Sequence, residues 1–212
     1  MPETPSSRSA SDETLARQAQ HGCVDSFAEL VARYQVPLMR FMQRRTPTIE
    51  DAEDLTQEAF VRAHANLERY RSNWRFGTWL FTLARRLSIN HHNRRQLGHQ
   101  PLVDPLDSSN DPARVFADRE RAKQLWDRAA VALTESQWSS LWLYYVQDLS
   151  TVEISHVLSC TPAAVKALLH RGRRKLAAEL TKPGPQPKEG APETWIETLS
   201  AAYQQSELDH EE

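Results

Sequence analysis

S-T-V-E-I-S-H-V-L-S-C-T-P-A-A-V-K-A-L-L-H-R-G-R-R-K-L, residues 150–176, contains two helix starts in close succession. Ser150 followed by Glu153 is a capping box, in which the two side chains satisfy each other's backbone amides. Thr161 followed by Pro162 is an N-cap with proline at the first helical position, where a missing N–H leaves nothing unpaired. The short helix T-V-E-I-S-H-V-L ends at Leu158, and a three-residue turn leads to the second. Ile154 and Leu158 on the first helix, and Val165, Leu169 and Leu176 on the second, have the spacing that closes the small core of a helix-turn-helix. The other face of the second helix carries Lys166, His170, Arg171, Arg173, Arg174 and Lys175. Such a helix enters a major groove with its N-terminal residues near base edges and its basic half near phosphates. A basic run alone is usually a solvated helix face, but here two caps, a turn and a basic helix coincide, which favours DNA binding. Upstream, Thr134 and Gln137 form another capping signal, and Trp138, Leu141, Trp142, Tyr145 and Val146 follow it toward a core.

Outward from this motif, charge divides the chain. The 212 residues have a formal net charge of −2 and only two cysteines, Cys23 and Cys160. Residues 50–58 hold five acids and no base, residues 62–95 eight Arg against one Glu, and residues 166–182 six bases against one acid. From residue 183 onward there are seven acids and one Lys. Segregation of this kind suggests different partners for different segments. Six glycines and no GxGxxG or GxxxxGK exclude a glycine-rich phosphate loop. The cysteines lie far apart and outside any Cys/His cluster, so neither a disulfide framework nor a zinc finger is expected, and both thiols read as small buried residues. No long apolar run and no leader pattern occur, so the expectation is a cytoplasmic chain with no membrane insertion.

Prolines cluster at 2 and 5, at 101, 105 and 112, and at 183, 185, 187 and 192. Helical periodicity fills the stretches between, which predicts an all-α fold of two small domains. The expected layout is a disordered N-terminus over 1–11, a first domain over 12–97 and a flexible linker over 98–112. A second domain over 113–180, a proline-rich spacer over 181–192 and an acidic amphipathic tail over 193–212 complete it. In the first domain a helix is expected behind the Ser26 to Glu29 capping signal, with Phe27, Leu30, Val31, Tyr34, Leu38 and Phe41 on one face. A second runs from about Glu50 to Tyr70, its acidic first turn complementing the helix dipole, and a third from about Thr78 to Gln96.

Four strings resemble one family, the extracytoplasmic-function group of bacterial RNA polymerase sigma factors. They are F-A-E-L-V-A-R-Y-Q-V-P-L-M-R-F from Phe27, D-A-E-D-L-T-Q-E-A-F-V-R-A-H from Asp51, W-L-F-T-L-A-R-R-L-S-I-N-H-H-N-R-R from Trp79, and the basic helix from Thr161. The resemblance implies a sigma two and a sigma four domain that hold core RNA polymerase and read two elements of promoter DNA. It places polymerase docking on Asp51, Asp54, Leu55, Gln57, Glu58 and Phe60. It places reading and melting of the −10 element on Asn73, Trp74, Arg75, Trp79, Arg85, Arg86, Asn90, Arg94 and Arg95. Cations there suit phosphate and aromatics suit unpaired bases, with the loop Tyr70 to Gly77 best placed to hold a flipped base and Trp79 equally suited to the core. Reading of the −35 element falls on Thr161, Ala163, Ala164, Lys166, Ala167, His170, Arg171 and Arg174. No catalytic residue, cofactor or metal is implied.

The chain departs from the family's common pattern at several positions. Arg86 stands where Asn is frequent and Asn90 where Asp is frequent, while Ala167 and Leu168 replace a hydroxyl and a guanidinium that could read base edges. Ser159 replaces the turn glycine, which costs about 1 kcal/mol if that residue is left-handed. The main alternative is a stand-alone helix-turn-helix regulator acting as a homodimer. A metal-dependent hydrolase on His64, His91 and His92 lacks any ligand spacing. The tail places Trp195, Leu199, Ala202 and Tyr203 on one helical face, which suggests self-inhibition by the tail, beside a separate anti-sigma factor.

Overall fold

Most of the described helix starts are set by short polar side chains. Ser11 accepts the Thr14 amide at 3.3 Å and opens α1, Asp12–Gln20. Gly22, at φ 91°, turns the chain into α2, Val24–Gln43, a conformation glycine adopts without strain. The expected cap at Ser26 does not form, and α2 begins three residues earlier, at Val24, with Cys23 as its N-cap. Ser26 is buried, and its hydroxyl donates to Gln18 Oε1 at 2.8 Å and to Cys23 Sγ at 3.2 Å, so it ties α2 to α1. Cys23, expected in the core, is exposed because it lies at this turn. Thr48 accepts the Asp51 amide at 3.1 Å and opens α3, Ile49–Ala65, which stops earlier than its periodicity suggests. Leu67–Arg69 forms a 3-10 turn that keeps Leu67 buried. After it comes α4, Phe76–Leu97.

The structure, a computed structural model, describes residues 10–97, 125–126 and 128–180. The expectations for most of the N-terminal segment, the linker over 98–112, the stretch 113–124, the spacer over 181–192 and the tail over 193–212 lie outside the described residues. No strand occurs among the described residues.

The first bundle packs α1 to α4 around Leu30, Leu38, Phe41, Met42, Ala52, Ala59, Ala63, Leu80, Phe81 and Ala84, all fully buried. Each large apolar side chain contributes about 1.5–3 kcal/mol by leaving water. Phe41 meets Phe81 edge to face at 5.1 Å, and alanines on α3 let α2 and α4 approach. Thr56 and Thr82, both buried, donate to the carbonyls one turn back at 2.7 Å, which leaves no hydroxyl unpaired.

Thr134 and Gln137 close the expected capping box and open α5, Glu135–Tyr145. Trp138 and Trp142 stack at 5.1 Å, and Trp126 meets both edge-on. Ser150 and Glu153 form the second box at the start of α6, Thr151–Leu158, and α7 runs over Pro162–Leu180. The chain turns by 99° between α6 and α7, within the range of a helix-turn-helix. Ser159 occupies the left-handed region at φ 51°. Gly172 lets α7 close on α5, since a Cβ there would lie 3.0 Å from Leu141 Cδ1.

The described helices up to Glu179 fall in one compact unit, in which α6 lies along α4. A second contact joins the end of α2 to α5. Arg45 reaches Glu135 at 2.9 Å and Ser139 Oγ at 2.8 Å, and Arg44 donates to the Leu133 carbonyl at 2.9 Å. Burial pulls the Arg45 guanidinium down to about 10 although Glu135 opposes the shift, so the group stays charged at neutral pH.

Candidate polymerase and nucleic-acid interfaces

On α3 the acidic stretch divides into two faces. Asp54 and Gln57 are exposed and Glu58 is half-buried beside Arg62, at 2.5 Å. Leu55 and Phe60 turn into the bundle, so they hold the helix in place rather than offer themselves to a partner. Asp51 is engaged within the fold, taking Arg95 at 2.5 Å and His91 at 3.3 Å from α4. Val61, not singled out by the sequence, is 68 % exposed and adds an apolar spot to the outer face. Its place one turn after Gln57, off the buried stripe, was the available signal.

The loop between the 3-10 turn and α4 is held from beneath by α1. Gln20 Nε2 donates to the carbonyls of Leu67 and Tyr70 at 2.8 and 3.0 Å, and the Phe76 amide donates to Glu13 at 3.3 Å. Tyr70 is buried, its hydroxyl donating to the Trp74 carbonyl at 2.9 Å, and burial pushes its phenol up to about 12. Tyr34 donates to Asp12 at 2.6 Å, and burial with that bond pushes its phenol well above the usual range. A Cβ on Gly77 would lie 3.0 Å from the Tyr34 hydroxyl, so glycine is needed where α4 crosses that ring. Trp79 packs on Tyr70 and Phe76, 5.4 and 5.7 Å between ring centres, and so builds the base of the loop.

Above this base the basic residues separate. Asn73, Arg86, Asn90 and Arg94 are exposed, and Arg95 is held by Asp51. Trp74, Arg75 and Arg85 instead meet the helix-turn-helix. The Trp74 ring stacks on His156 at 4.8 Å and 12°, Arg75 donates to the Asp148 carbonyl, and Arg85 donates to Ser159 Oγ at 3.2 Å. Between them the buried Thr78 hydroxyl donates to Glu153 at 2.9 Å. Burial works against ionisation of Glu153, but hydrogen bonds from Ser150 and Thr78 and the charge of Arg75 outweigh it and hold the carboxyl below its ordinary value. Thr78 lies far from Glu153 and His156 in sequence, and no local pattern signals this meeting.

On α7, Val165, Leu169 and Leu176 form the buried side. Thr161 accepts the Ala164 amide at 3.1 Å, which commits its hydroxyl to the cap. Ala163, Lys166, His170, Arg171 and Arg174 are exposed, and Ala164 and Ala167 are half-buried. Arg173 departs from its expected place on this basic face. Its guanidinium lies 5.4 and 5.5 Å from the ring centres of Tyr144 and Tyr145, because its register points toward α5.

The sequence model of Sigma-70 region 2 matches residues 30–97, and that of Sigma-70, region 4 matches residues 123–176, together more than half of the chain. The chain belongs to the sigma-70 family, in its extracytoplasmic-function group. It is 27% identical over 177 residues to the ECF RNA polymerase sigma factor SigW of Bacillus subtilis, covering 77% of this chain and 94% of that one. To the ECF RNA polymerase sigma-E factor of Escherichia coli it is 26% identical over 184 residues, covering 80% and 94%. Its fold is similar to that of the sigma factor RpoE of Bartonella quintana, solved with the anti-sigma factor NepR. The TM-score there is 0.59 at 18% identity, over 76% of this chain and 100% of that one. This sigma factor is thus a transcription-initiation factor and not an enzyme. Helix α1 lies before the region 2 match, so the struts to the loop are a feature of this chain outside that match. Among the described residues no single helix is long and apolar enough to cross a membrane.

Proposed function

We propose that this sigma factor docks on core RNA polymerase through the exposed edge of α3 and acts in the cytoplasm. In this reading Asp54, Gln57 and Glu58 meet a basic partner surface, and Val61 adds apolar contact. Asp51, Leu55 and Phe60 set the helix that carries them. Complementary charge there contributes orientation and association rate. The loop of Trp74 and Arg75, with Arg85, captures unpaired bases and phosphates at the −10 element, while Arg86, Asn90 and Arg94 approach the adjoining duplex. Lys166, His170, Arg171 and Arg174 read or grip the −35 element, the two short side chains of Ala163 and Ala167 leaving room for close approach. A stress or envelope signal would release the factor, and an anti-sigma protein is a fitting partner, given the fold it shares with an RpoE solved on NepR.

The observation that carries the reading is the division of α3, with its apolar residues in the core and Asp54 and Gln57 in solvent. The test is Asp54→Arg with Glu58→Arg. Both side chains lie outside the core, so helicity is expected to be retained while association with core polymerase, followed by co-purification, is lost. Unchanged affinity would remove this surface from the docking site.

A further inference from the structure

Three of the residues assigned above to promoter melting are occupied, and all by one helix. Arg75 takes the backbone carbonyl of Asp148 before the start of α6, and Arg85 takes the hydroxyl of Ser159 at its end. Asp148 and Ser159 are the non-glycine residues with positive φ among the described residues, at 49° and 51°. Left-handed backbone therefore flanks α6 at both ends, and an arginine from the melting face meets each one. Between the clamps Glu153 divides its carboxylate. One oxygen closes the capping box with Ser150 at 2.9 Å, and the other takes the Thr78 hydroxyl at 2.9 Å. His156, one helical turn from the box, lays its ring on Trp74 nearly parallel, at 4.8 Å and 12°.

We propose that α6 is a removable plug on the melting surface, with the His156 imidazole seated on the Trp74 indole where an unpaired base would stack. The inference rests on the assignment of Trp74, Arg75 and Arg85 to DNA. A flat aromatic heterocycle on an indole is the geometry by which single-stranded nucleic acid is held on protein, and the ring can be displaced by a base with the same π-face. The arginines that would meet phosphate are turned to neutral oxygens, so each loses a bond that an anionic phosphate replaces with a stronger one. The two arginine contacts and the stacked His156 are open to solvent while Thr78 is buried, and the Asp148 carboxylate, 98% exposed and 3.6 Å from Arg75, adds little. The plug is therefore suited to exchange rather than to permanent closure.

What the plug leaves open fits this use. Asp54 and Gln57 on α3 stay exposed, as do Lys166, His170, Arg171 and Arg174 on α7. A free molecule can then meet polymerase and the −35 element while Trp74 is covered, and drawing α7 toward upstream DNA takes α6 with it. Ile154 and Leu158 have the spacing that closes the helix-turn-helix core, and both are buried, as is Val157.

The test uses the full chain without polymerase and a short fluorescein-labelled single-stranded DNA of mixed sequence. Glu135→Gln, His156→Ala and Ser159→Gly together remove the charge opposite Arg45, the stacked ring and the Arg85 acceptor without touching the residues assigned to DNA. A closed, reluctant state lowers apparent affinity by its population, so the triple variant is expected to bind the oligonucleotide about tenfold more tightly. His156→Ala alone is expected to give about two- to fivefold. Small-angle scattering is expected to give a larger radius of gyration for the triple variant, with helicity unchanged. Equal oligonucleotide affinity, or an equal radius of gyration, overturns the plug. Transcription by the variants with core polymerase separates the two ideas: if wild type and variants initiate equally but bind the oligonucleotide equally, the plug fails and the assignment stands. If Trp74→Ala neither weakens oligonucleotide binding nor initiation, the assignment itself fails.

Discussion

The two surfaces proposed to face DNA are built from the same side-chain chemistry and treated differently by the fold. On α7 the cations project from a helix whose apolar side is buried, and Lys166, Arg171 and Arg174 are exposed. On the loop before α4 the corresponding groups meet their own chain, Arg75 at Asp148, Arg85 at Ser159 and Trp74 at His156. The difference follows from the partners. A duplex presents its phosphates from outside, so a ready cationic row serves it, whereas unpaired bases exist only after melting and an aromatic platform left bare would collect other rings.

Removing charge from the ready surface should have the largest effect. Arg171→Ala with Arg174→Ala is expected to weaken binding to duplex containing the −35 element by an order of magnitude or more at low salt. The log–log salt slope should flatten by up to about two, since each phosphate contact contributes about 0.9. An unchanged slope, measured by titration at several salt concentrations, would show that neither residue touches phosphate. The same pair should leave single-stranded binding nearly unaltered, which separates the two surfaces.

Next in size is the support of α7. Gly172→Ala adds a Cβ 3.0 Å from Leu141, whose side chain is buried, while removing the conformational cost of a helical glycine. Overpacking costs about 1–3 kcal/mol and the helix gain is at most about 1 kcal/mol, so a lower melting temperature is expected. Equal or higher stability in thermal unfolding would mean that α5 and α7 yield more easily than their packing implies.

How much of this was legible beforehand depended on the range of the interaction. Thr134 with Gln137, Ser150 with Glu153, and Thr161 before Pro162 act within one turn, and all form as their spacing requires. Ser26 shows the limit of the same rule, because it is buried and its hydroxyl has a partner in Gln18, on another helix, and the local cap loses to it. Arg173 is expected on the basic face opposite the apolar side of its helix, but its guanidinium lies over Tyr144 and Tyr145. The family resemblance identified Trp74, Arg75 and Arg85 as a group. Their meeting with α6 and its flanks joins positions at least 73 residues apart, and no periodicity or motif encodes a contact at that separation.

Ser159 offers a smaller effect with a sign that depends on the state. A left-handed serine costs about 1 kcal/mol relative to glycine, so Ser159→Gly is expected to stabilise the helix-turn-helix. The same change removes the acceptor of Arg85, 3.2 Å away, and offsets part of the gain when α6 lies on α4. Unfolding measured in wild type and in Arg85→Ala separates the two contributions, with the larger gain expected in the Arg85→Ala background. Equal gains in both would show that the Arg85 contact carries no energy.

The smallest effect is one of pH, and it belongs to Glu153 at the junction of the two surfaces. Its carboxyl titrates below its ordinary 4.5 in the folded chain, because the Ser150 and Thr78 bonds and the charge of Arg75 together outweigh the burial that opposes ionisation. A depressed carboxyl contributes stability that is complete above the ordinary value and is lost as pH falls through the folded one. Nothing is therefore expected to change between pH 8 and about pH 5, and the capping box and its bond to Thr78 should weaken progressively below about pH 4.5. Glu153→Gln keeps one acceptor oxygen, for Ser150 or for Thr78 but not at both positions, and removes the titrating charge. Its melting temperature should lie below wild type at neutral pH, and the two should converge as acid is added. A constant difference between them across that range, followed by circular dichroism, would show that Glu153 holds α6 through its hydrogen bonds and that its charge plays no part.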